Sequence, residues 1–145
     1  MSTEENKALV RRLTEEVFNA HNLAPIDGYF LPDYVDHVPL PPGMPAGLAG
    51  LKAFWGALFE AFPDFRYTVD DMVAEGDRVV ARLTARGTHR GTFMGIPTTG
   101  KQVTWTEIHI GRCAGGKITE HWANIDQLGL MQQLGAIPMP GQAAP

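Results

Sequence analysis

The run of residues 104–126 constrains this chain most, because two strand-like segments in it meet at the dipeptide Gly115-Gly116. Adjacent glycines favour the tight turn of a β-hairpin, since both can adopt the positive φ angles that such turns require. Side chains alternate along a strand, so Trp105, Glu107 and His109 share one face of the first segment. The pattern predicts a hairpin that collects aromatic and polar side chains on one side of a sheet.

The turn also predicts a register for this hairpin. If the two glycines form a two-residue loop, Ala114 pairs with Lys117. The facing pairs that follow, all on one face, are His109 with Trp122, Glu107 with Asn124, and Trp105 with Asp126. A one-residue bulge would shift this register and bring His121 to that face instead.

The predicted face is too polar for an ordinary core and too aromatic for an ordinary exposed surface. A ligand pocket or a subunit interface would explain it. A carboxylate among tryptophans loses hydration, which raises its pKa and makes it a usable proton carrier near neutral pH. On these grounds Asp126 is the predicted acid/base, with Glu107 as the alternative and His109 as the donor to a developing oxyanion.

Simpler interpretations of the same residues stay open. Glu107, Asn124 and His109 are also compatible with a hydrogen-bonded ladder on the outer face of the sheet. Asp126 is equally suited to cap the helix that follows it, because Asp is a favoured N-cap residue. His37 is either a pocket residue or an exposed one.

The order of predicted elements, helices first and strands later, is typical of the α+β class. Amphipathic spacing predicts a first helix from Ser2 to about His21, with Ser2 and Glu5 as a capping box. We expect the helices to cover one face of a curved sheet and to leave a cavity beneath the proline-rich loop 39–47. The other predicted elements are a helical piece (25–30), a short strand (34–38), a helix (48–62), an antiparallel meander (65–74, 78–88, 102–112, 117–125) and a last helix (127–134).

Length and composition limit the classes to which the chain can belong. With 145 residues, 44% of them hydrophobic, it is predicted to form one domain over residues 1–135 and a loose Pro/Gly/Ala tail over 136–145. A formal net charge of -4 with scattered Lys and Arg argues against nucleic acid as a partner. The lack of a signal-peptide pattern and of a long apolar run indicates a cytoplasmic protein without a membrane partner.

The motif inventory gives no reason to expect a metal or a cofactor. Cys113 is the only cysteine, which excludes an internal disulfide and a cysteine-based zinc site. His37, His109 and His121 lack the spacing of a metal-binding motif, and no glycine-rich nucleotide-binding motif is present.

Short motifs follow one another along nearly the whole chain. They include Glu-Asn-Lys-Ala-Leu-Val-Arg-Arg (5–12), Tyr-Val-Asp-His (34–37), Ala-Phe-Pro-Asp-Phe (61–65), Glu-Gly-Asp-Arg-Val-Val-Ala-Arg (75–82), Gly-Ile-Pro-Thr-Thr-Gly (95–100) and Gly-Lys-Ile-Thr-Glu-His-Trp (116–122). In this order they resemble the SnoaL-like polyketide cyclases, also called ester cyclases. The resemblance implies a cone-shaped α+β fold of the nuclear-transport-factor type. In that fold a curved, mixed, mostly antiparallel sheet wraps around the N-terminal helices and leaves a deep pocket. The resemblance also implies that the protein forms homodimers or homotetramers.

The resemblance also implies a chemistry. Cyclases of this family close a ring by intramolecular aldol condensation without cofactor or metal, using an aspartate as acid/base and a histidine that helps to hold the oxyanion. Glu107 and His109 are similar to the family's polar-x-His strand pair, and Asp36 is similar to a pocket asparagine. The aspartate falls at Asn124 or Asp126, and the resemblance leaves these two positions open.

The expected function is therefore proton abstraction next to a carbonyl group of a hydrophobic, polyketide-like small molecule. Asp126 or Glu107 would remove the proton, and His109 would hold the oxyanion. The other expected pocket residues are Tyr34, Asp36, His37, Phe93, Met94, Trp105, Trp122 and Asn124. The alternatives are a hydrolase of the same fold, whose carboxylates activate water, and a non-catalytic binding or dimerisation module.

Overall fold

The computed structural model describes residues 2–141 and has the predicted α+β architecture. Its helices are α1 (Thr3–Leu13), which continues into a π-helical turn (Thr14–Phe18), a 3-10 turn (Ala24–Gly28), α2 (Gly47–Ala61) and α3 (Gln127–Gln133). Its strands are β1 (Phe30–Asp36), β2 (Arg66–Glu75), β3 (Arg78–Thr88), β4 (Gln102–Ala114) and β5 (Lys117–Ile125). The helix predicted to reach His21 thus changes its winding after Leu13.

The start of α1 is fixed by the predicted capping box. Ser2 Oγ accepts a hydrogen bond from Glu5 N at 3.1 Å, and Glu5 Oε2 accepts one from Ser2 N at 3.3 Å. These bonds satisfy donors that have no partner inside the helix. Leu9 and Leu13, one turn apart, are buried against the sheet side of the molecule.

The five strands form one open mixed sheet in the order β1-β5-β4-β3-β2. Strands β2 to β5 make the predicted antiparallel meander. Strand β1 pairs in parallel with β5, so the chain crosses from one edge of the sheet to the other between β1 and β2. The hairpin β4–β5 consequently lies inside the sheet, with a neighbour on each side.

The predicted register of the β4–β5 hairpin holds only next to the turn. Ala114 pairs with Lys117 and Cys113 pairs with Ile118, as expected. The next pair is Arg112 with Glu120, so Thr119 is an additional residue in β5. Beyond this bulge every partner is displaced by one position. His109 faces Ala123 and Glu107 faces Ile125. The predicted pairs with Trp122 and Asn124 are therefore wrong, because a one-residue shift exchanges the two faces of a strand.

Aromatic packing ties the helices to the sheet above β2 and β4. Trp55 of α2 is 5% exposed and stacks on Phe18 of the π-helical turn, with ring centroids 4.1 Å apart. Its edge meets Tyr67 of β2 at a centroid distance of 5.7 Å. The buried apolar side chains form one cluster that extends from Leu9 to Leu134. This packing leaves a cavity between α2 and the sheet.

The C-terminal end folds back on α3. Ala136 N and Ile137 N both donate to Met131 O, at 2.9 and 3.4 Å. The tail predicted at 136–145 lies partly outside the described residues. Within residues 2–141, no helix is long and apolar enough to cross a membrane.

Candidate active site

A cavity of about 270 Å³, here called the outer cavity, opens between α2, the sheet and the loop after β1. The proline-rich loop contributes one wall, as predicted, through Pro39, Leu40 and Pro41. The other apolar lining residues are Val38, Leu51, Phe54, Trp55, Leu58, Phe93, Met94, Trp105, Ile125 and Leu130. The polar lining residues are Asp36, Tyr67, Glu107, His109, His121 and Gln127. An apolar cavity with a few converging polar groups is the usual form of a small-molecule site.

Glu107 lies at the floor of this cavity, with its side chain 5% exposed. Its Oε1 accepts hydrogen bonds from Tyr67 OH at 2.6 Å and from His109 Nε2 at 2.7 Å. Its Oε2 accepts one from Trp105 Nε1 at 2.6 Å. The face alternation predicted for β4 is confirmed, because Trp105, Glu107 and His109 all line the cavity.

Tyr67 reaches this carboxylate because its backbone is held from the helical side. Tyr67 N donates to Asn19 Oδ1 at 2.7 Å, and Asn19 Nδ2 donates to Tyr67 O at 3.0 Å. Asn19 directly follows the π-helical turn. Asn19 thus holds the backbone of Tyr67, whose hydroxyl donates to Glu107.

The hydrogen bonds continue from Glu107 across β4, β5 and β1. His109 Nδ1 lies 2.8 Å from His121 Nε2, and His121 Nδ1 lies 3.0 Å from Asp36 Oδ1. The two ring centroids are 5.1 Å apart and the ring planes differ by 21°. We call Glu107, His109, His121 and Asp36 the carboxylate–histidine chain.

The carboxylate at each end of this chain is held in its ionised form. Burial alone would raise the pKa of Glu107, but hydrogen bonds from His109, Tyr67 and Trp105 outweigh it and lower that pKa below its ordinary value. Burial likewise acts to raise the pKa of Asp36, and bonds from His121, Val38 N and Tyr34 lower it. Both groups are therefore anions at neutral pH.

The hydroxyl groups that support these anions stay protonated. Burial raises the pKa of Tyr67 well above its ordinary value, and the neighbouring Glu107 charge raises it further. Burial and the Asp36 charge raise the pKa of Tyr34 in the same way. Tyr34 OH donates to Asp36 Oδ2 at 3.1 Å. Each tyrosine is thus a permanent donor to one carboxylate.

The hydrogen bonds of the carboxylate–histidine chain determine how many protons it needs. An ionised carboxylate can only accept, so His109 Nε2 and His121 Nδ1 each carry a proton. The bond between the two imidazoles requires a third proton. Two neutral imidazoles hold two protons in total, so a pair that makes all three bonds at once carries one shared imidazolium charge. With two carboxylates, that arrangement has one net negative charge on the cavity floor.

The structure places three predicted pocket residues on the outer face of the sheet. Trp122 stacks on His37, with ring centroids 4.9 Å apart, and lies beneath the guanidinium groups of Arg78 and Arg112. His37 Nε2 bonds Glu120 Oε2 at 2.7 Å, and its side chain is 43% exposed. Asn124 is exposed on the same face of β5 as Trp122, since the two are separated by one residue. None of the three lines the outer cavity.

Asp126 is also outside the cavity lining. It is the N-cap of α3, where its Oδ1 accepts a hydrogen bond from Gly129 N at 3.0 Å. The structure thus matches the capping interpretation of this residue. Phe93 and Met94 do line the cavity, whereas Tyr34 is not among its lining residues and only donates to Asp36, which is.

Two residues of the cavity, His121 and Tyr67, are not among the predicted pocket residues. The sequence places His121 on this face only if a bulge shifts the register, and the bulge is present. Tyr67 carries no sequence signal as a hydrogen-bond donor, because a tyrosine in a strand is typical of an ordinary core. Among residues 2–141, no group of three or more His, Cys, Asp or Glu side chains is arranged to hold a metal ion.

The chain is similar to known proteins over most of its length. The model of the family described as SnoaL-like polyketide cyclase matches residues 8–134. Aklanonic acid methyl ester cyclase DauD of Streptomyces sp. (strain C5) is 34% identical over 134 residues, covering 88% of this chain and 80% of DauD. Nogalonic acid methyl ester cyclase of Streptomyces nogalater is 29% identical over 119 residues, covering 81% of this chain and 89% of that protein.

Solved structures share the fold. The crystal structure of AclR, a candidate hydroxylase from Streptomyces galilaeus, superposes with a TM-score of 0.83 and 33% identity. The superposition covers 94% of this chain and 100% of AclR. The cone-type α+β fold implied by the sequence motifs is confirmed by this likeness. The chain belongs to the SnoaL-like polyketide cyclase family.

Proposed function

We propose that this protein closes a ring in a polyketide-type ester by intramolecular aldol condensation. The observation that carries the proposal is the carboxylate–histidine chain, buried at Glu107 and half-buried at its other members, at the floor of an apolar cavity. Aldol closure needs a base for the proton next to a carbonyl group and a donor for the oxygen that becomes negative. The carboxylate–histidine chain supplies both the base and the donor, within a few ångströms of each other. The relatives that are methyl ester cyclases support the substrate class.

Asp36 is the better placed of the two carboxylates to act as the base. Its side chain is 13% exposed, compared with 5% for Glu107. It accepts three hydrogen bonds, from His121, Val38 N and Tyr34, and an ionised carboxylate has about four acceptor positions. One position is left for a substrate proton. Glu107 is enclosed by three donors and acts as the fixed anion that holds His109.

The imidazolium shared by His109 and His121 provides the stabilising charge. All four ring nitrogens bond within the chain, so a substrate oxygen must share one of these protons. The bond between the imidazoles has no anionic acceptor and is the one most readily shared. Asp36 takes the proton from the α-carbon, the resulting enolate carbon attacks the second carbonyl, and the imidazolium gives a proton to the new alkoxide. Asp36 then returns its proton to the chain, so substrate and product are isomers.

Aklanonic acid methyl ester, the compound named in the first relative, is the direct test substrate. We expect conversion to a cyclic product of unchanged mass, followed by liquid chromatography and mass spectrometry. A product that gains water would show hydrolysis, and one that gains an oxygen atom would show hydroxylation, the activity suggested for AclR. Either result would replace the aldol assignment.

A matched pair of histidine variants connects the activity to the chain. His109→Asn removes the imidazole next to Glu107 and should lower turnover by about 10²-fold or more. His37→Asn removes the outer-face imidazole, which lies outside the cavity lining, and should change turnover by less than about twofold. Equal losses in both variants would contradict the assignment of the chain as the acid/base group.

We also infer that the outer face of the sheet joins copies of the chain as homodimers or homotetramers. Val73 of β2 and Ile108 of β4 are 57% and 47% exposed there. Val73 pairs with Val80, and Val80 pairs with Ile110, so apolar side chains are continuous across this face, and a contiguous exposed apolar patch commonly marks an interface. Light scattering after gel filtration measures the state directly. We expect Ile108→Lys to shift it to monomer, and a monomeric wild type would overturn the inference.

A further inference from the structure

A second, smaller cavity of about 90 Å³ lies behind the carboxylate–histidine chain, between α1 and β3–β4. We call it the inner chamber. Six residues line both cavities, namely Asp36, Leu51, Trp55, Tyr67, His109 and His121. They lie between the two cavities and are here called the neck, with the histidine pair on the sheet side and Leu51 and Trp55 on the helix side. A substrate atom that contacts the histidines from the outer cavity therefore lies next to the inner chamber.

The inner chamber offers almost nothing to a polar group. Beyond the neck, its described lining residues are apolar except for Thr14, whose hydroxyl donates to Val10 O at 2.9 Å. Tyr67 OH donates to Glu107, and the ring nitrogens of both histidines are bonded within the carboxylate–histidine chain. A buried water needs about two to four polar partners. The chamber therefore favours an apolar occupant over water.

The size of the chamber limits that occupant. A water molecule occupies about 30 Å³ in the liquid, so a space of 90 Å³ holds about three non-hydrogen atoms. We propose that the inner chamber binds a short alkyl substituent, of about two or three carbons, attached next to the reacting carbons of the substrate. The inference rests on the proposed function for its reaction, but the occupancy of the chamber can be tested without any turnover.

Gly111 of β4 is the position that keeps the chamber open. It lines the chamber directly, and a Cβ built there meets only Ile118 Cγ2, at 4.0 Å. An added methyl group is therefore tolerated, whereas larger side chains would grow into the chamber. Gly111→Ala and Gly111→Val form a graded series that fills the space from the wall. Val79→Ala, on the opposite strand of the same lining, changes the space in the other direction.

Xenon provides the substrate-free test, because apolar cavities in proteins bind it. Crystals of the wild-type protein under xenon pressure should show a xenon atom in the inner chamber, and crystals of Gly111→Val should show none there. Thermal unfolding of each variant establishes that it is folded. Ordered water in the wild-type chamber, or xenon retained in Gly111→Val, would overturn the proposal.

Kinetics with a matched pair of polyketide methyl esters tests the specificity. One ester carries a propyl group next to the reacting carbons, and the other carries a methyl group. Gly111→Val should lower kcat/KM for the propyl ester by about tenfold more than for the methyl ester, and Val79→Ala should shift the preference toward the propyl ester. Parallel losses for both esters would contradict an alkyl site. Xenon binding without turnover of either ester would leave the chamber intact and remove the proposed function.

Discussion

Two histidine–carboxylate pairs in this molecule have the same contact distance and opposite surroundings. Glu107 and His109 lie 2.7 Å apart on the cavity face, and Glu120 and His37 lie 2.7 Å apart on the outer face. The inner pair is connected to a second histidine and a second carboxylate, whereas the outer pair meets solvent and an arginine, Arg112. The comparison teaches that distance alone does not identify a catalytic pair. Burial, continuation into a network and an adjoining cavity make the inner pair the candidate.

The largest effect is expected from the base. Asp36→Asn removes the acceptor and should lower turnover of aklanonic acid methyl ester by about 10³-fold, because general-base catalysis contributes about 10² to 10⁴. Asp126→Asn is the matched control, since Asn caps a helix about as well as Asp and this residue is outside the cavity lining. It should change turnover by less than about twofold. A large loss in Asp126→Asn would restore the acid/base predicted from the sequence.

The next largest effect contrasts the two glutamates directly. Glu107→Gln keeps the shape of the side chain but removes the anion that holds the imidazolium, and should lower kcat by about 10²-fold. Glu120→Gln removes the outer-face anion and should change kcat by less than about twofold. Steady-state kinetics of both variants gives the ratio. If the two lose the same factor, the inner and outer pairs are equivalent and the comparison fails.

A smaller effect is expected from a single donor to Glu107. Tyr67→Phe removes one hydrogen bond from a buried carboxylate and should lower the free energy of unfolding by about 1 to 3 kcal/mol. Turnover should fall by less than about tenfold, because Trp105 and His109 still hold the carboxylate. Urea denaturation and steady-state kinetics measure the two effects separately. An unchanged unfolding free energy would show that the tyrosine is not a supporting donor.

The smallest effect concerns pH and stability. The pKa of Glu107 is lower in the folded protein than its unfolded value of about 4.3, so its stabilising contribution is complete above that pH and is lost as the pH falls through the folded pKa. Glu107→Gln has no carboxylate to protonate at this position. Its free energy of unfolding should therefore fall less than that of the wild type when the pH is lowered from 6 to 3. Urea denaturation of the wild type and of Glu107→Gln at several pH values checks it, and parallel curves for the two proteins would contradict the lowered pKa.

The order and the bounds of several strands could be predicted from the sequence, because side-chain periodicity and turn residues are local signals. The strand bounds 78–88 and 117–125 and the turn at Gly115-Gly116 match the structure. The register did not follow from the turn alone. Strand β5 must also pair with β1, where Phe30 meets Ile118 and Val35 meets Glu120, and that pairing is itself irregular. Contacts so distant in sequence leave no mark in a local pattern.

The candidate site could be predicted only in part for the same reason. Glu107 and His109 were found because they lie on one strand, where alternation alone places them together. Asp36 followed from the family resemblance, whereas the role of His121 depended on a bulge that the sequence did not reveal. Trp122 and Asn124 were assigned to the cavity by the same alternation, counted without the additional residue. The physical source of both errors is a single position in β5.

That single position, Thr119, shifts the register of the rest of β5 by one residue. Everything after it in β5 changes sides together, so one inserted residue places His121 in the cavity lining and Trp122 on the outer face, without altering either residue. Substitution changes an enzyme one side chain at a time, whereas gain or loss of such a residue exchanges an entire row at once. Length variation near the β4–β5 turn is therefore a route by which one scaffold of this type can be given different chemistry.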